Sequence, residues 1–288
     1  LLVLLNEDVP FDEPGEDVAE PVYGAPARWI SESAHESAAS LGLPVVSPGE
    51  VVATHLLEMI QANFGKLLTR RALRKLLDEY AAVSDESRAQ ANRRLLDEYV
   101  PDKVPVDMLQ SVLRMLLSER VSVRNLPLIL EAIAEARNDN APLDEIVEHV
   151  RRRIAFHIVS RLSDNEGMLP LIQLAPEWEA KFAEHEREEN GATDIALPPE
   201  DFNRLAGSVK GMIARAASRA ALPAIATSAR RRRFVKQALE AKGITNPVLS
   251  FEEIGNTCRW VFRECCFAVR KCSRPDNDAY SAIIQSTF

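Results

Sequence analysis

The residues able to do chemistry in this 288-residue chain are few, and their spacing suits catalysis poorly. Five histidines (His35, His55, His149, His157 and His185) show no metal-ligand spacing to one another. Zinc-hydrolase histidines sit four residues apart on one helix face, and no such pair occurs. The glycine-rich phosphate loops and the strained serine elbow of hydrolases are missing as well. The cysteines Cys258, Cys265, Cys266 and Cys272 run as Cys-x6-Cys-Cys-x5-Cys. Zinc sites offer pairs two to four residues apart, and two adjacent thiols do not easily ligate one ion. Acids at Glu7, Asp8, Asp12, Glu13, Glu16, Asp17 and Glu20 invite comparison with paired catalytic carboxylates. General acid–base work needs positioned groups, however, and this stretch is interrupted by prolines. The runs Arg151–Arg153 and Arg230–Arg233 have the charge to hold phosphates, which would suit a nucleic-acid-binding regulator. Each falls on a predicted helix, where consecutive residues fan around the circumference, and no aromatics interleave with them. Solvated faces are therefore expected there, and neither enzyme activity, cofactor nor metal is expected of the chain.

The elements that must position these residues follow from composition and periodicity. Apolar residues make up 46% and charged residues 27%, a globular balance, and the formal net charge is −8. An acidic whole has no general attraction for nucleic acid or anionic membrane. No run approaches the ~18–20 apolar residues that cross a bilayer. The first residue is Leu rather than Met, so the sequence is expected to be a fragment or a processed product. Leu1–Leu5 reads as a short strand, and residues 6–28 as an acidic, proline-rich, extended and exposed linker. Ser31–Leu41 reads as a helix closed by Gly42, and Leu43–Val46 as a short strand. Ser47-Pro48-Gly49-Glu50 is a capping-box helix start. The helix after it places Val51, Val52, Leu56, Met59, Ile60 and Phe64 on one broad apolar face. Arg74–Tyr80 is echoed by Arg93–Tyr99, two similar amphipathic helices rather than a solenoid. Helices continue at 106–119, 126–136 and 143–161, with Asn125 as an N-cap. After a turn at 163–167, strands near 169–174, 222–226 and 248–251 alternate with helices and a polar loop near 190–193. The fold class expected is helix-dominated α+β, with a central helical bundle and a small C-terminal α/β subdomain.

Three segments carry a more specific signal. They are Tyr23-Gly24-Ala25-Pro26-Ala27-Arg28-Trp29-Ile30, Val45–Val46 with Val51-Val52-Ala53-Thr54-His55-Leu56, and Val121–Glu131. Together they resemble the cytoplasmic region of the flagellar type III export-gate family (FHIPEP), which has virulence-secretion relatives. The resemblance runs from about Pro21 to Gly255.

It implies a larger protein of the bacterial inner membrane, whose N-terminal transmembrane half is not in this sequence. The cytoplasmic half would form a nine-membered ring and dock export chaperones with bound cargo. It would also meet the export ATPase complex and other gate components, and order substrate export. No nucleic acid is expected as a partner, and membrane only through the missing N-terminal region. Residues 1–46 would be most of the second subdomain, and 47–66 the returning helix of an incomplete first. Residues 67–161 would be the helical third subdomain and 162–255 the α/β fourth. The family's chaperone-docking dimple maps onto Glu20, Tyr23 and Thr54; its flagellar members often carry Asp and Phe at the first two. A virulence-secretion homologue is the alternative within the family. Two departures stand out. Ala81–Asp97 is longer than the family norm, and residues 256–288 form an atypical Cys-rich tail, which suggests a frame change or foreign sequence.

Overall fold

The computed structural model describes residues 1–6, 9–21, 24–138, 141–163, 168–189, 192–217, 223–255 and 259–266. The chain divides into two compact units, Leu1–Val147 and Glu148–Phe288.

The first unit opens with β1 (Leu2–Leu4), β2 (Gly15–Ala19), β3 (Pro26–Ile30), α1 (His35–Ser40) and β4 (Val45–Val46). The strands form one antiparallel sheet in the order β2-β3-β1-β4. Side chains alternate across a strand, so adjacent residues of β1 serve opposite faces. Val3 packs with Phe11, Ile30, Ala34, Ala38 and Leu43, whereas Leu2 packs with Ala27 and Val51.

Part of the acidic stretch expected as an extended linker is thus a strand of this sheet. Arg28 explains why. It pairs with Asp17 directly opposite in the ladder, and its Nη1 donates to the carbonyls of Phe11 and Glu13 at 3.0 Å each. One cation therefore offsets the acid repulsion and ties three points of the stretch together. The hydrogen bond from Arg28 holds the Asp17 carboxyl below the usual aspartate value.

Helices follow: α2 (Pro48–Ala62), α3 (Phe64–Leu67), α4 (Arg70–Ala81), α5 (Glu86–Tyr99), α6 (Val106–Ser118) and α7 (Leu126–Asn138). Their starts are written locally. The Ser47 hydroxyl accepts from the Glu50 N–H at 3.2 Å, and the Glu50 carboxylate accepts from the Ser47 N–H at 2.8 Å. The Thr69, Asp85 and Asn125 side chains each accept from the N–H three residues on, at the starts of α4, α5 and α7. Leu109, Val112, Leu113 and Leu116 of α6, and Ile129, Leu130 and Ile133 of α7, are buried at helical spacing. Each such side chain contributes roughly 1.5–3 kcal/mol by burial. The echoed segments lie on α4 and α5, which pack together, and the Asn92 side-chain amide donates to the Tyr80 carbonyl at 2.7 Å.

The second unit contains most of α8 (Leu143–Arg153), then α9 (Ala155–Leu162), which were expected as one helix. They are separated at Ile154, whose φ −97° and ψ 11° leave the helical range. Next come β5 (Met168–Leu174), α10 (Pro176–Glu184), β6 (Glu186–Glu189), β7 (Ala192–Ile195), α11 (Pro199–Ala217), β8 (Ala224–Thr227), α12 (Ala229–Glu240), β9 (Val248–Ser250), α13 (Phe251–Ile254) and β10 (Arg259–Cys266). A parallel sheet in the order β10-β5-β8-β9 is joined by helical crossovers, as parallel pairing requires. Trp178, Phe182, Val209, Ile225, Val235 and Leu239 are central to its core. Of the polar loop expected near 190–193, Ala192 and Thr193 instead belong to β7, paired with Glu189 and Glu188 of β6, while 190–191 lie outside the described residues. Most of the expected turn after Ser163 lies outside the described residues. In the tail, Cys265 and Cys266 belong to β10, paired with Gln173 and Leu174, while Cys258 and Cys272 lie outside the described residues. The architecture is helix-dominated α+β, with a helical bundle and a small C-terminal α/β unit.

Candidate docking site

Two of the three predicted docking residues are placed by local structure that the sequence dictates. Glu20 directly follows β2 and is half-buried. Its N–H donates to the Ala25 carbonyl at 2.7 Å, and its own carbonyl accepts from the Gly24 N–H at 2.9 Å. These bonds tie the end of β2 to the start of β3, with Gly24 at φ 70°, a left-handed conformation that favours glycine. Tyr23 lies outside the described residues.

Thr54 is exposed on α2, one turn beyond Val51. Val51 is the anchor of α2: it packs with Leu2 and Ala27, and Val18 lies against the same cluster. Val18 pairs with Ala27 in the ladder, two residues before Glu20. The capping box at Ser47 sets where α2 begins, and so where Thr54 falls along it.

The rest of the apolar face predicted on α2 is not buried. Val52 is 67% exposed, Leu56 57% and Met59 50%. Leu57, Ile60 and Phe64 add to this apolar surface. Periodicity correctly grouped these residues, but it cannot say whether anything covers them. Isolated exposed apolar side chains are ordinary, whereas a contiguous set marks a contact surface.

The arginine runs correct the sequence reading most sharply. Arg231 and Arg232 are buried rather than solvated, and Arg151 is buried too. Arg232, with no exposed surface, grips Glu148 with two nitrogens, and its Nε donates to Oε2 at 2.7 Å. The Arg231 Nη2 donates to Glu186 at 2.7 Å, and Arg230 pairs with the same carboxylate. Arg151 Nε lies 2.8 Å from Glu253 Oε1. The Glu179 carboxylate accepts from the hydroxyls of Thr227 and Ser228 at 3.2 Å each. Isolated buried charges are costly, so these ions are present in pairs. The hydrogen bond from Arg231 holds Glu186 below the usual glutamate value. Burial pushes the Glu253 carboxyl up, against the pull of Arg151 and Arg232. The partners lie 45 and 84 residues away from Arg231 and Arg232, so sequence windows could not have paired them.

Among the described residues no group of three His, Cys, Asp or Glu side chains could hold a metal ion. No helix among them is long and apolar enough to cross a membrane. The described part of the candidate site is an exposed helix face carrying Thr54 and the strand end at Glu20.

The chain is 35% identical over 241 residues to the flagellar biosynthesis protein FlhA of Caulobacter vibrioides, covering 84% of this chain and 33% of that protein. It is 29% identical to FlhA of Bacillus subtilis, covering 83% of this chain and 34% of the relative. The chain thus spans about a third of the length of these relatives. Its fold matches the CdsV protein of Chlamydia pneumoniae with TM-score 0.72 at 21% identity, over 92% of this chain and 75% of that one. The nonameric SctV-C of EPEC matches with TM-score 0.68 at 18% identity, over 92% and 77%. The FHIPEP family profile matches residues 1–259, and the chain belongs to the FHIPEP family.

Proposed function

We propose that this chain is the cytoplasmic part of a flagellar type III protein-export gate, and that it docks export chaperones carrying their cargo and helps order export. The observation that carries the reading is the 35% identity to a flagellar FlhA across 84% of the chain. The full protein would reside in the bacterial inner membrane, with this part on the cytoplasmic side. Glu20, Tyr23 and Thr54 form the chaperone-docking dimple in this reading, with Tyr23 as the aromatic anchor and the polar pair setting orientation. The half-burial of Glu20, its backbone bonds to Gly24 and Ala25, and the exposure of Thr54 support that role. No catalytic residue is assigned.

Residues 47–66 serve as the returning helix of a first subdomain, a role supported by the apolar face that α2 leaves exposed. The chain self-associates into a ring, as the nonameric SctV-C of EPEC does. It also contacts the export ATPase complex; the solved complex of CdsV with CdsO from Chlamydia pneumoniae supports docking of a further component on such a domain. The relatives of higher identity are flagellar, which favours that system over virulence secretion. A nucleic-acid-binding role is disfavoured, because Arg151, Arg231 and Arg232 are buried against carboxylates.

The test is a pull-down with flagellar chaperone–cargo complexes, comparing wild type with Tyr23→Ala and Thr54→Ala. Each substitution should weaken capture by about tenfold or more, as loss of a central contact does. Undiminished capture by both variants would reject the site.

A further inference from the structure

β2 stands at the edge of its sheet, and the hydrogen bonds of β3 fix which of its backbone groups point off that edge. The Leu5 N–H donates to the Pro26 carbonyl at 2.9 Å, and the Ile30 N–H to the Leu1 carbonyl at 2.8 Å. Pro26 and Ile30 therefore turn their backbone groups toward β1. These groups alternate along a strand, so those of Ala27 and Trp29 turn toward β2, where Val18 and Glu16 stand opposite them. Gly15, Asp17 and Ala19 consequently aim their N–H and carbonyl groups outward. Among the described residues, no backbone hydrogen bond beyond the β2–β3 ladder reaches these three.

The side chains of β2 divide between the two faces of the sheet. Val18 and Trp29 both pack against the cluster of Leu2, Ala27 and Val51, so Glu16, opposite Trp29, lies on that face too. Glu20, two residues beyond Val18, continues it. Arg28 and Asp17 pair on the other face, the one that carries Ile30. The open edge thus borders, on the α2 side, the order Glu16, Val18, Glu20, and it runs straight into the proposed dimple.

We propose that this edge receives an extended segment of the docked export chaperone, which adds to the sheet as a further strand. The inference rests on the docking reading above and specifies its mode of contact. Extended backbone is the chemistry that meets outward N–H and carbonyl groups in alternation. Pro14 and Pro21, which have no N–H, bound the edge, so the added strand is about five residues long. Glu16 and Glu20 stand up to about 13 Å apart at 3.3 Å per residue. The segment that fits therefore carries two basic side chains four residues apart, with an apolar one midway, opposite Val18. A second copy of β2 is disfavoured as occupant, because it would bring another Glu16 and Asp17 against these, and like charges across strands are destabilising.

The test is amide exchange of the full chain by NMR, alone and with a flagellar export chaperone free of cargo. In the chain alone, the Asp17 and Ala19 amides should exchange about tenfold faster than those of Glu16 and Val18, which bond within the sheet. Saturating chaperone should slow Asp17 and Ala19 by about tenfold or more and leave Glu16 and Val18 little changed. Ala19→Pro removes one outward N–H and spares the ladder with β3, so it should weaken chaperone binding by about tenfold in calorimetry. Glu16→Lys should weaken it by about fivefold. Circular dichroism matching wild type shows that each variant is folded; if one is not, the exchange of wild type decides by itself. Unchanged exchange at Asp17 and Ala19, in a complex that Thr54→Ala weakens, overturns strand addition and leaves the docking site standing. Slowing that appears only when cargo is present overturns the assignment to the chaperone. A wild type that binds neither chaperone nor chaperone–cargo complex overturns the docking reading, and this inference with it.

Discussion

At the scale of single residues, the second unit stands on ion pairs whose members are far apart in sequence. Arg232 is the extreme case, fully buried and held by Glu148 through two nitrogens. Glu148→Ala removes that carboxylate from a buried guanidinium, and a cost of about 3–5 kcal/mol is expected in urea unfolding. Adding Arg232→Met to the Glu148→Ala change should recover most of the loss, since the damage comes from the uncompensated charge rather than from a missing attraction. Glu186 predicts a pH dependence of definite sign. Its folded value is lowered by the bond from Arg231. Its contribution is therefore full above the ordinary glutamate value of 4.5 and is lost as pH falls through the lowered one. The stability gap between wild type and Glu186→Gln should shrink as urea midpoints are measured from about pH 6 down toward pH 3. Glu253 has the opposite sign: its raised value gives a contribution that is full at low pH and lost as pH rises through it.

At the scale of elements, the helix starts and the close approaches are what hold the bundle in register. A Cβ on Gly65 would sit 2.8 Å from the Arg114 carbonyl oxygen, where α3 crosses α6. The Arg114 Nε also donates to the Gly65 carbonyl at 2.8 Å, so the approach is closed from both sides. Gly65→Ala should therefore destabilise the chain by about 1–3 kcal/mol through overpacking, visible as a lower thermal midpoint. Ser47→Ala removes one half of the capping box on α2 and should cost about 1 kcal/mol. Because α2 is anchored mainly through Val51, this loss should appear as faster amide exchange within α2.

At the scale of the whole molecule, α2 carries the largest test of the proposed subdomain arrangement. The described residues leave its apolar face exposed, as the proposed returning-helix role requires. Leu56→Gln with Met59→Gln should leave the stability of this chain within about 0.5 kcal/mol, as exposed sites do. In a longer protein carrying the proposed first subdomain, the same pair should cost several kcal/mol, because those side chains would then be core. Equal effects in both contexts, measured by urea unfolding, would remove the returning-helix assignment.

What the amino-acid sequence determined by itself is whatever depends on neighbours a few residues apart. The cap at Ser47 and Glu50, those at Thr69 and Asn125, the apolar spacing of α6 and α7, and the strand positions near 169–174 and 248–251 were all legible there. So were the motifs around Gly24 and Thr54 that mark the candidate site. The tertiary structure alone decided three other matters. Arg231 and Arg232 became internal ion pairs because Glu186 and Glu148 are brought to them across 45 and 84 residues. Part of the acidic stretch became a strand because Arg28 spans Asp17 and two carbonyls. The face of α2 stayed exposed because burial depends on what else is near, which periodicity does not encode. Hydrogen bonding along a helix is local, whereas desolvating and matching a charge is a property of the packed chain.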